Sequence, residues 1–270
     1  MAYPMLRACR ALLGLTTVLA AVLVGCLTAT GAASADGAGS WTGVYVGGHA
    51  GYGWHRGDVG VTSQDPAVFG ELPFTLGLDK SGFVGGGQVG YKWQAGPSWV
   101  TGIEADLSGA AIKGDARNNA IFTNFGVLLP GAYYDARAQM QWLGTVRGRL
   151  GYLAAHGLLI YGTGGLAYGQ IADTAIHDYT GTGAAFSVFS GSSSKLKTGW
   201  TAGGGAELQL SGNWSAKFEY LFVDLGRETI AQRRVLVLPN DPQTMFSAFN
   251  SESHIVRLGV NYSFGSAANR

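Results

Sequence analysis

The sequence predicts an all-β chain: an eight-stranded antiparallel up-and-down barrel that crosses a membrane, with short turns at one end and four long loops at the other. Three observations carry that prediction. Segments of strict two-residue alternation recur between residues 41 and 264, their connections alternate between short and long, and charged side chains fall where a soluble barrel would keep its core. The last segment, His254 to Phe264 (HIVRLGVNYSF), shows all of this in miniature. Val256, Leu258, Val260, Tyr262 and Phe264 share one face, and Arg257, Gly259, Asn261 and Ser263 share the other. A strand in lipid needs an apolar outward row ending in aromatics, and tolerates a polar inward row.

The chain opens with a leader. Arg7 and Arg10 form a basic start, Ala11 to Gly25 an apolar stretch, and Ala33-Ser34-Ala35 a small-residue cleavage site, so residues 1–35 read as a secretory signal and 36–270 as the barrel domain. The apolar stretch is shorter than the ~20 residues a spanning helix needs. Leu23-Val24-Gly25-Cys26 offers a second route, lipidation at Cys26. Both lead out of the cytoplasm. Removing residues 1–35 leaves 16 basic against 17 acidic residues, a net charge of −1, with no basic cluster to suit nucleic acid. Cys9 and Cys26 both lie in the leader, so cleavage after Ala35 removes disulfides, thiolate metal sites and cysteine nucleophiles together. Glycine is frequent, 44 of 270 residues, but interleaved with aromatics and without a triplet period, which excludes collagen-like or linker sequence.

Eight segments follow in order. Residues 41–54 set Val44, Val46, Ala50, Tyr52 and Trp54 against a glycine row; residues 82–94 set Phe83, Val89, Tyr91 and Trp93 against Gln88, Lys92 and Gln94. After the turn Ala95-Gly96-Pro97-Ser98, residues 99–110 set Trp99, Ile103 and Leu107 against Glu104, Asp106 and Ser108. Residues 139–152 place Met140, Trp142, Val146, Leu150 and Tyr152 outward, with Gln141, Thr145, Arg147 and Arg149 inward. Residues 158–170 are weaker because GTGGLAYG is nearly all small. Residues 198–210 set Trp200, Ala202, Ala206, Leu208 and Leu210 against Thr201, Glu207 and Gln209; residues 214–224 set Trp214, Phe218, Tyr220 and Phe222 against Ser215, Lys217 and Glu219. Residues 254–264 complete the set. Trp54, Trp93, Trp99, Trp142, Trp200 and Trp214 fall near segment ends, as interfacial belts do.

The inward rows collect nine charges: Lys92, Glu104, Asp106, Arg147, Arg149, Glu207, Lys217, Glu219 and Arg257. A dry core does not accept them unpaired, whereas a narrow hydrogen-bonded lumen surrounded by lipid does. An eight-stranded barrel is filled by its side chains. The set therefore reads as a salt-bridge plug, with a gated ion filter as the alternative if pairs exchange partners. The lipid face carries Gly85, Gly87, Gly144, Gly148, Gly162, Gly164 and Gly204, gaps that lipid or a second barrel would fill.

WTGVYVGGHAGYGW, GFVGGGQVGYKWQ, TGIEADL, WLGTVRGRLGY, YGTGGLAYG, WTAGGGAELQL, WSAKFEYLFVDLG and VRLGVNYSF, in that order, resemble the small outer-membrane porin-like or immunogenic proteins of alphaproteobacteria, with their OmpA-like eight-stranded barrel. The resemblance implies an integral, surface-exposed outer-membrane protein in contact with outer-membrane lipid and lipopolysaccharide. It also implies a role in envelope integrity or a porin-like one. Arg257, Gly259, Tyr262 and Phe264 resemble the C-terminal signal read by the outer-membrane assembly machinery, although Gly265 to Arg270 follow here where the aromatic is usually last.

The alternative function is loop-mediated binding, of a ligand such as haem or of a host surface, through Tyr133, Tyr134, His177, Tyr179 and Phe186. An enzyme is not expected. Ser253 and His254 are adjacent on a strand and point to opposite faces, and neither GTGGLAYG nor GGGAEL keeps a phosphate-loop spacing. His49, His55, His156 and His254 are scattered without metal-ligand spacing and read as solvated or girdle residues; no metal or cofactor is expected. The sequon Asn213-Trp214-Ser215 sits in a periplasmic turn and reads as coincidence.

Overall fold

The computed structural model describes residues 41–63, 73–122, 126–155, 157–182, 188–235 and 244–264. The expected signal segment 1–35 with its two candidate processing sites, His156, Phe186 and the residues after Phe264 lie outside the described residues. The strands are β1 (Gly43–His55), β2 (Asp58–Ser63), β3 (Phe74–Gly77), β4 (Lys80–Ala95), β5 (Trp99–Asn118), β6 (Tyr133–Ala155), β7 (Leu158–Asp178), β8 (Val188–Gln209), β9 (Trp214–Arg234) and β10 (Thr244–Phe264). All pairings are antiparallel. The order β1-β4-β5-β6-β7-β8-β9-β10 closes through a β1–β10 pairing, so eight of the ten strands form a ring. Closure leaves the ring no free edge, which a sheet in hydrocarbon requires.

The outer face shows where lipid lies. Val46, Phe83, Ile103, Leu107, Val146, Leu150, Leu166 and Leu258 are all exposed. Trp99 packs edge-on against Tyr152, and Trp214 against Tyr262, at the turn end of the ring. Tyr52 meets Phe83, Trp142 meets Tyr168, and Trp200 meets Phe222 at the other end. From Val44 to Trp54 on β1 is ten residues, or roughly 25 Å of membrane thickness at the usual strand tilt. His254 joins the outer girdle, stacked 5.8 Å from Trp54.

Past that girdle the wall continues. The long links that sequence pattern assigns to loops are largely strand: β5 runs on to Asn118, β6 begins at Tyr133, β7 reaches Asp178 and β10 begins at Thr244. The short β2–β3 hairpin pairs with the upper part of β10, standing where β1 and β4 have ended. Alternation is hard to read here because water, not lipid, faces the outside. On β10, for example, Ser247 is buried and Ala248 is not, a contrast that hydropathy does not mark.

One inward and outward assignment is overturned. β6 carries a bulge between Met140 and Trp142, opposite an irregularity between Gly109 and Ile112 on β5. The extra residue shifts the faces, so Met140 points into the lumen at 4% exposure and Gln141 lies outside. Gly144 faces outward without lying open, because the Tyr168 ring covers it: a Cβ there would stand 2.6 Å from that ring.

Two inward glycines set the width of the lumen. A Cβ on Gly205 would clash with the Phe218 carbonyl oxygen and stand 2.8 Å from the Tyr161 hydroxyl, and one on Gly90 would meet the Tyr45 ring at a similarly forbidding distance. Each tyrosine lies across a neighbouring strand that has no side chain to oppose it. Gly205→Val is expected to lower the urea midpoint of the folded barrel, followed by heat-modifiable gel migration, by an amount equivalent to about 1–3 kcal/mol of overpacking. Gly164→Ala, whose Cβ would meet only the Thr201 carbonyl oxygen at 3.6 Å, is expected to leave the midpoint unchanged.

Candidate functional site: a layered lumen

Counting inward residues up each strand builds the interior in layers. Near the turns Val100, Leu159 and Tyr161 pack with Trp41 and Leu153 into an apolar floor. Above it lie the nine charged side chains, from 0% exposure at Glu207 and Glu219 to 6% at Arg149. They come from β4, β5, β6, β8, β9 and β10, while β1 and β7 contribute Tyr45 and Tyr161.

Glu104 is the hub of this layer. Its carboxylate accepts from the Tyr45 hydroxyl at 2.6 Å, from Lys217 Nζ at 2.9 Å to both oxygens, from Arg149 Nη1 at 3.1 Å and from Arg147 Nη2. Asp106 takes Arg147 Nη2 at 2.9 Å, Arg257 Nη2 at 3.0 Å and the Thr145 hydroxyl at 2.6 Å. Glu219 takes Arg257 Nε at 2.7 Å and the Tyr161 hydroxyl at 2.9 Å. Glu207, nearest the turns, takes Lys92 Nζ at 2.5 Å, Arg149 Nη2 at 3.0 Å, Ser215 Oγ at 2.6 Å and Asn261 Nδ2 at 2.9 Å. The Arg149 guanidinium also lies 3.8 Å over the Tyr161 ring, and Lys92 Nζ 4.5 Å over that of Tyr45. Each of the nine has an ion-pair partner of opposite sign, so their burial is compensated.

The next layer is apolar. Val84, Ala110, Ile112, Met140, Leu143, Ala167, Ile171, Leu221, Val223, Leu225 and Ile255, from six wall strands, are all at most 8% exposed. A second polar layer follows, at the level where the wall leaves the membrane. Lys80 Nζ donates to the Asn250 carbonyl at 2.9 Å, Lys197 Nζ donates to Ser251 Oγ at 2.9 Å, and Asp173 and His55 are buried beside them. The top layer is again apolar and fills the extracellular extension with Val59, Val61, Ile121, Tyr134, Phe189, Met245 and Phe249 among others.

Two parts of this interior escaped sequence reading. His49 and His55 are lumen residues at 7% and 4% exposure, not solvated ones, and His49 Nε2 lies 2.7 Å from Ser108 Oγ. The signal was available, since His49 is spaced by four residues from Tyr45 on the inward row. The apolar layer was missed because Ile112 lies beyond a segment end and Met140 across a bulge, while Val84, Leu221 and Ile255 lie inside expected segments, on inward rows read for their polar residues. Of the aromatics assigned to loops, Tyr134, His177 and Tyr179 are buried in the extension, with His177 stacked 4.6 Å from Tyr179. Burial pushes the Tyr134 phenol up to about 12, against an opposing pull from its hydrogen bond with Ser247. Tyr133 stays nearer the surface and donates to Asp178 Oδ2 at 2.9 Å. In the C-terminal segment Arg257 and Gly259 point inward, while Tyr262 and Phe264 pack together outside, rings 5.1 Å apart.

A closed antiparallel ring, an apolar outer band between two aromatic girdles and charges inside point to a bacterial outer-membrane protein. The family model described as "Outer membrane protein beta-barrel domain" matches residues 19–264. The chain belongs to this family. It is 35% identical over 233 residues to the 31 kDa outer-membrane immunogenic protein of Brucella melitensis, covering 83% of this chain and 84% of that one. It is 31% identical over 187 residues to the 22 kDa outer membrane protein of Rhizobium leguminosarum bv. viciae, covering 69% and 65%. Among solved structures, the outer membrane protein OprG of Pseudomonas aeruginosa is similar over 85% of this chain and 100% of that one, at 11% identity and a TM-score of 0.48. This member of the alphaproteobacterial outer-membrane barrels is located in the outer membrane.

Among the described residues no group of three or more His, Cys, Asp or Glu side chains could hold a metal. Two small cavities of about 10 and 20 Å³ adjoin Lys92 near the turns, each with room for about one water.

Neutralising the hub leaves its cations under-compensated. Glu104→Gln is expected to cost about 3–5 kcal/mol, the usual penalty for breaking a buried ion pair from one side. The check is the urea midpoint of the refolded barrel in detergent, which Lys195→Gln, with its ammonium exposed to water, should leave unchanged.

Proposed function

We propose that this protein is a structural component of the outer membrane whose lumen is filled along its length and conducts no solutes. The observation that carries this reading is the apolar layer above the charged one, which takes buried side chains from six wall strands. A charged lumen alone is compatible with a narrow pore, because paired side chains can exchange partners and let ions through. An apolar layer spanning the same lumen presents no groups to replace an ion's hydration shell, and hydrophobic constrictions close pores by excluding water. In a ring this narrow, side chains already occupy the interior. Envelope integrity is then served by the barrel wall and its contacts with lipid and lipopolysaccharide, and by an extracellular extension made rigid by its own core.

The porin-like alternative makes the opposite prediction. In a planar bilayer, both the native chain and Arg147→Ala are expected to be silent after insertion is verified by heat-modifiable migration. Discrete conductance steps in the native chain that grow in Arg147→Ala would establish a narrow pore lined by the charged layer and overturn the structural reading.

A further inference from the structure

The wall is interrupted on one side just above the outer girdle. β8 pairs with β9 from Gln209↔Ser215 up to Trp200↔Asp224, and again only at Ser190↔Arg233 and Phe189↔Arg234. Between these stretches residues 191–199 of β8 and 225–232 of β9 make no ladder pairs with each other among the described residues, although β8 stays paired to β7 throughout and β9 to β10 from Arg227 to Arg233. Side chains stand in the gap instead. Glu228 accepts from Lys195 Nζ at 2.9 Å and from Ser193 Oγ at 3.4 Å, and lies 3.9 Å from Lys197 Nζ. Lys195 is exposed and Lys197 buried, so the cluster runs from solvent into the lumen. Trp200 belongs to the girdle, and Lys197, three residues above it, stands about 8 Å higher on a tilted strand. That is the depth of lipid headgroups, which occupy roughly 5–8 Å on each side of the hydrocarbon.

Behind the gap, the upper polar layer is compensated less completely than the lower one. Lys80 and Lys197 each carry three N–H donors, and their hydrogen bonds among the described residues are one apiece, to the Asn250 carbonyl and to Ser251 Oγ. Asp173 is 2% exposed, and its Oδ1 accepts no hydrogen bond from the described residues. It lies in the field of both ammoniums. Buried polar groups nearly always find partners, and an exception points to a water, an ion or a functional role. Two ammoniums repel a cation and attract an anion, which lysine holds as a point charge. The carboxylate beside them decides which anion, because an ionised carboxylate only accepts. A phosphate that keeps a proton can donate it to Asp173 while its other oxygens take the lysines. Sulfate and phosphate diesters have no proton to give and would meet Asp173 as charge against charge.

We propose that Lys80, Lys197 and Asp173 form a binding site for a proton-bearing phosphate group, reached sideways through the break between β8 and β9, with Glu228 and Lys195 at its mouth. The site lies above the apolar layer, so it takes its ligand without opening the lumen. Inorganic phosphate and sulfate are titrated calorimetrically into the refolded barrel in neutral detergent at pH 6.5. There inorganic phosphate always keeps a proton, and a monoester, with its second pKa near 6, keeps one in a sizeable fraction. In parallel, native mass spectrometry reads whether the barrel retains phosphatidic acid, a monoester, over phosphatidylglycerol, a diester. Phosphate is expected to bind at least about tenfold more tightly than sulfate. Lys197→Met, with its heat-modifiable migration kept, should lose that binding, and Asp173→Asn, whose amide can donate, should bring sulfate level with phosphate. Selective retention of phosphatidic acid would identify the ligand as a lipid headgroup, and binding of inorganic phosphate alone would identify it as a free anion. Equal binding of phosphate and sulfate by the native barrel, equal retention of the two lipids, binding of neither phosphate nor phosphatidic acid, or unchanged binding in a folded Lys197→Met would each overturn the proposal. The comparisons made on the native barrel decide the matter even where Lys197→Met fails to fold.

Discussion

Everything in the lumen depends on one constraint: a charge removed from water must be met by opposite charge or hydrogen bonds in a space only as wide as eight strands permit. Glu104 shows how the constraint is satisfied. No single neighbour neutralises it; Lys217, Arg147 and Arg149 converge on it from β9 and β6, and Tyr45 donates from β1. Because these partners stand on different strands, the network ties the circumference together through its middle. Hydrogen bonds between neighbouring strands hold the wall locally, and the charges hold it across.

The same constraint explains the glycines. The rings of Tyr45 and Tyr161 lie over a neighbouring strand because that strand carries a glycine at the register position. Gly205, opposite Glu219 in register, opens room for Tyr161, whose hydroxyl then reaches Glu219. Gly90 stands opposite Glu104 and does the same for Tyr45. Glycine lowers intrinsic strand stability, but here each one is the counterpart of a ring that reaches a carboxylate. Bulk and absence of bulk are placed as pairs.

How much of this was legible in the sequence follows from what each strand faces. Within the membrane, lipid enforces a strong contrast between faces, so Val256, Leu258 and Val260 declare their side and Arg257 declares the other. The ring and the nine inward charges could therefore be read directly. Pairs between register neighbours, such as Glu104 with Arg147, follow once the strands are aligned. Pairs across the axis do not: Lys217 stands beside Glu207 in register yet bonds to Glu104, a choice set by side-chain length and the geometry of the lumen. Above the girdle water replaces lipid, the contrast fades, and strands such as the upper half of β10 were indistinguishable from loop. The bulge at Met140 hid the beginning of the apolar layer for a further reason, since one extra residue reverses every assignment beyond it.

The order of the layers then has a physical rationale. A charged layer in contact with solvent at both ends would hydrate, and water would compete for each of its bonds. The apolar layer above keeps that competition out from the extracellular side, strengthening the ion pairs by lowering the polarisability around them. The charges in turn fix the strand register that brings Ile112, Leu221 and Ile255 to one level, where they pack into a continuous septum. Neither layer is sufficient alone. A lumen of apolar residues throughout would hold its shape through packing only, and uniform apolar packing specifies register weakly. Alternating polar and apolar layers make each strand's position along the axis unambiguous, because a two-residue slip would set Arg257 against the septum in one direction or Ile255 among the charges in the other.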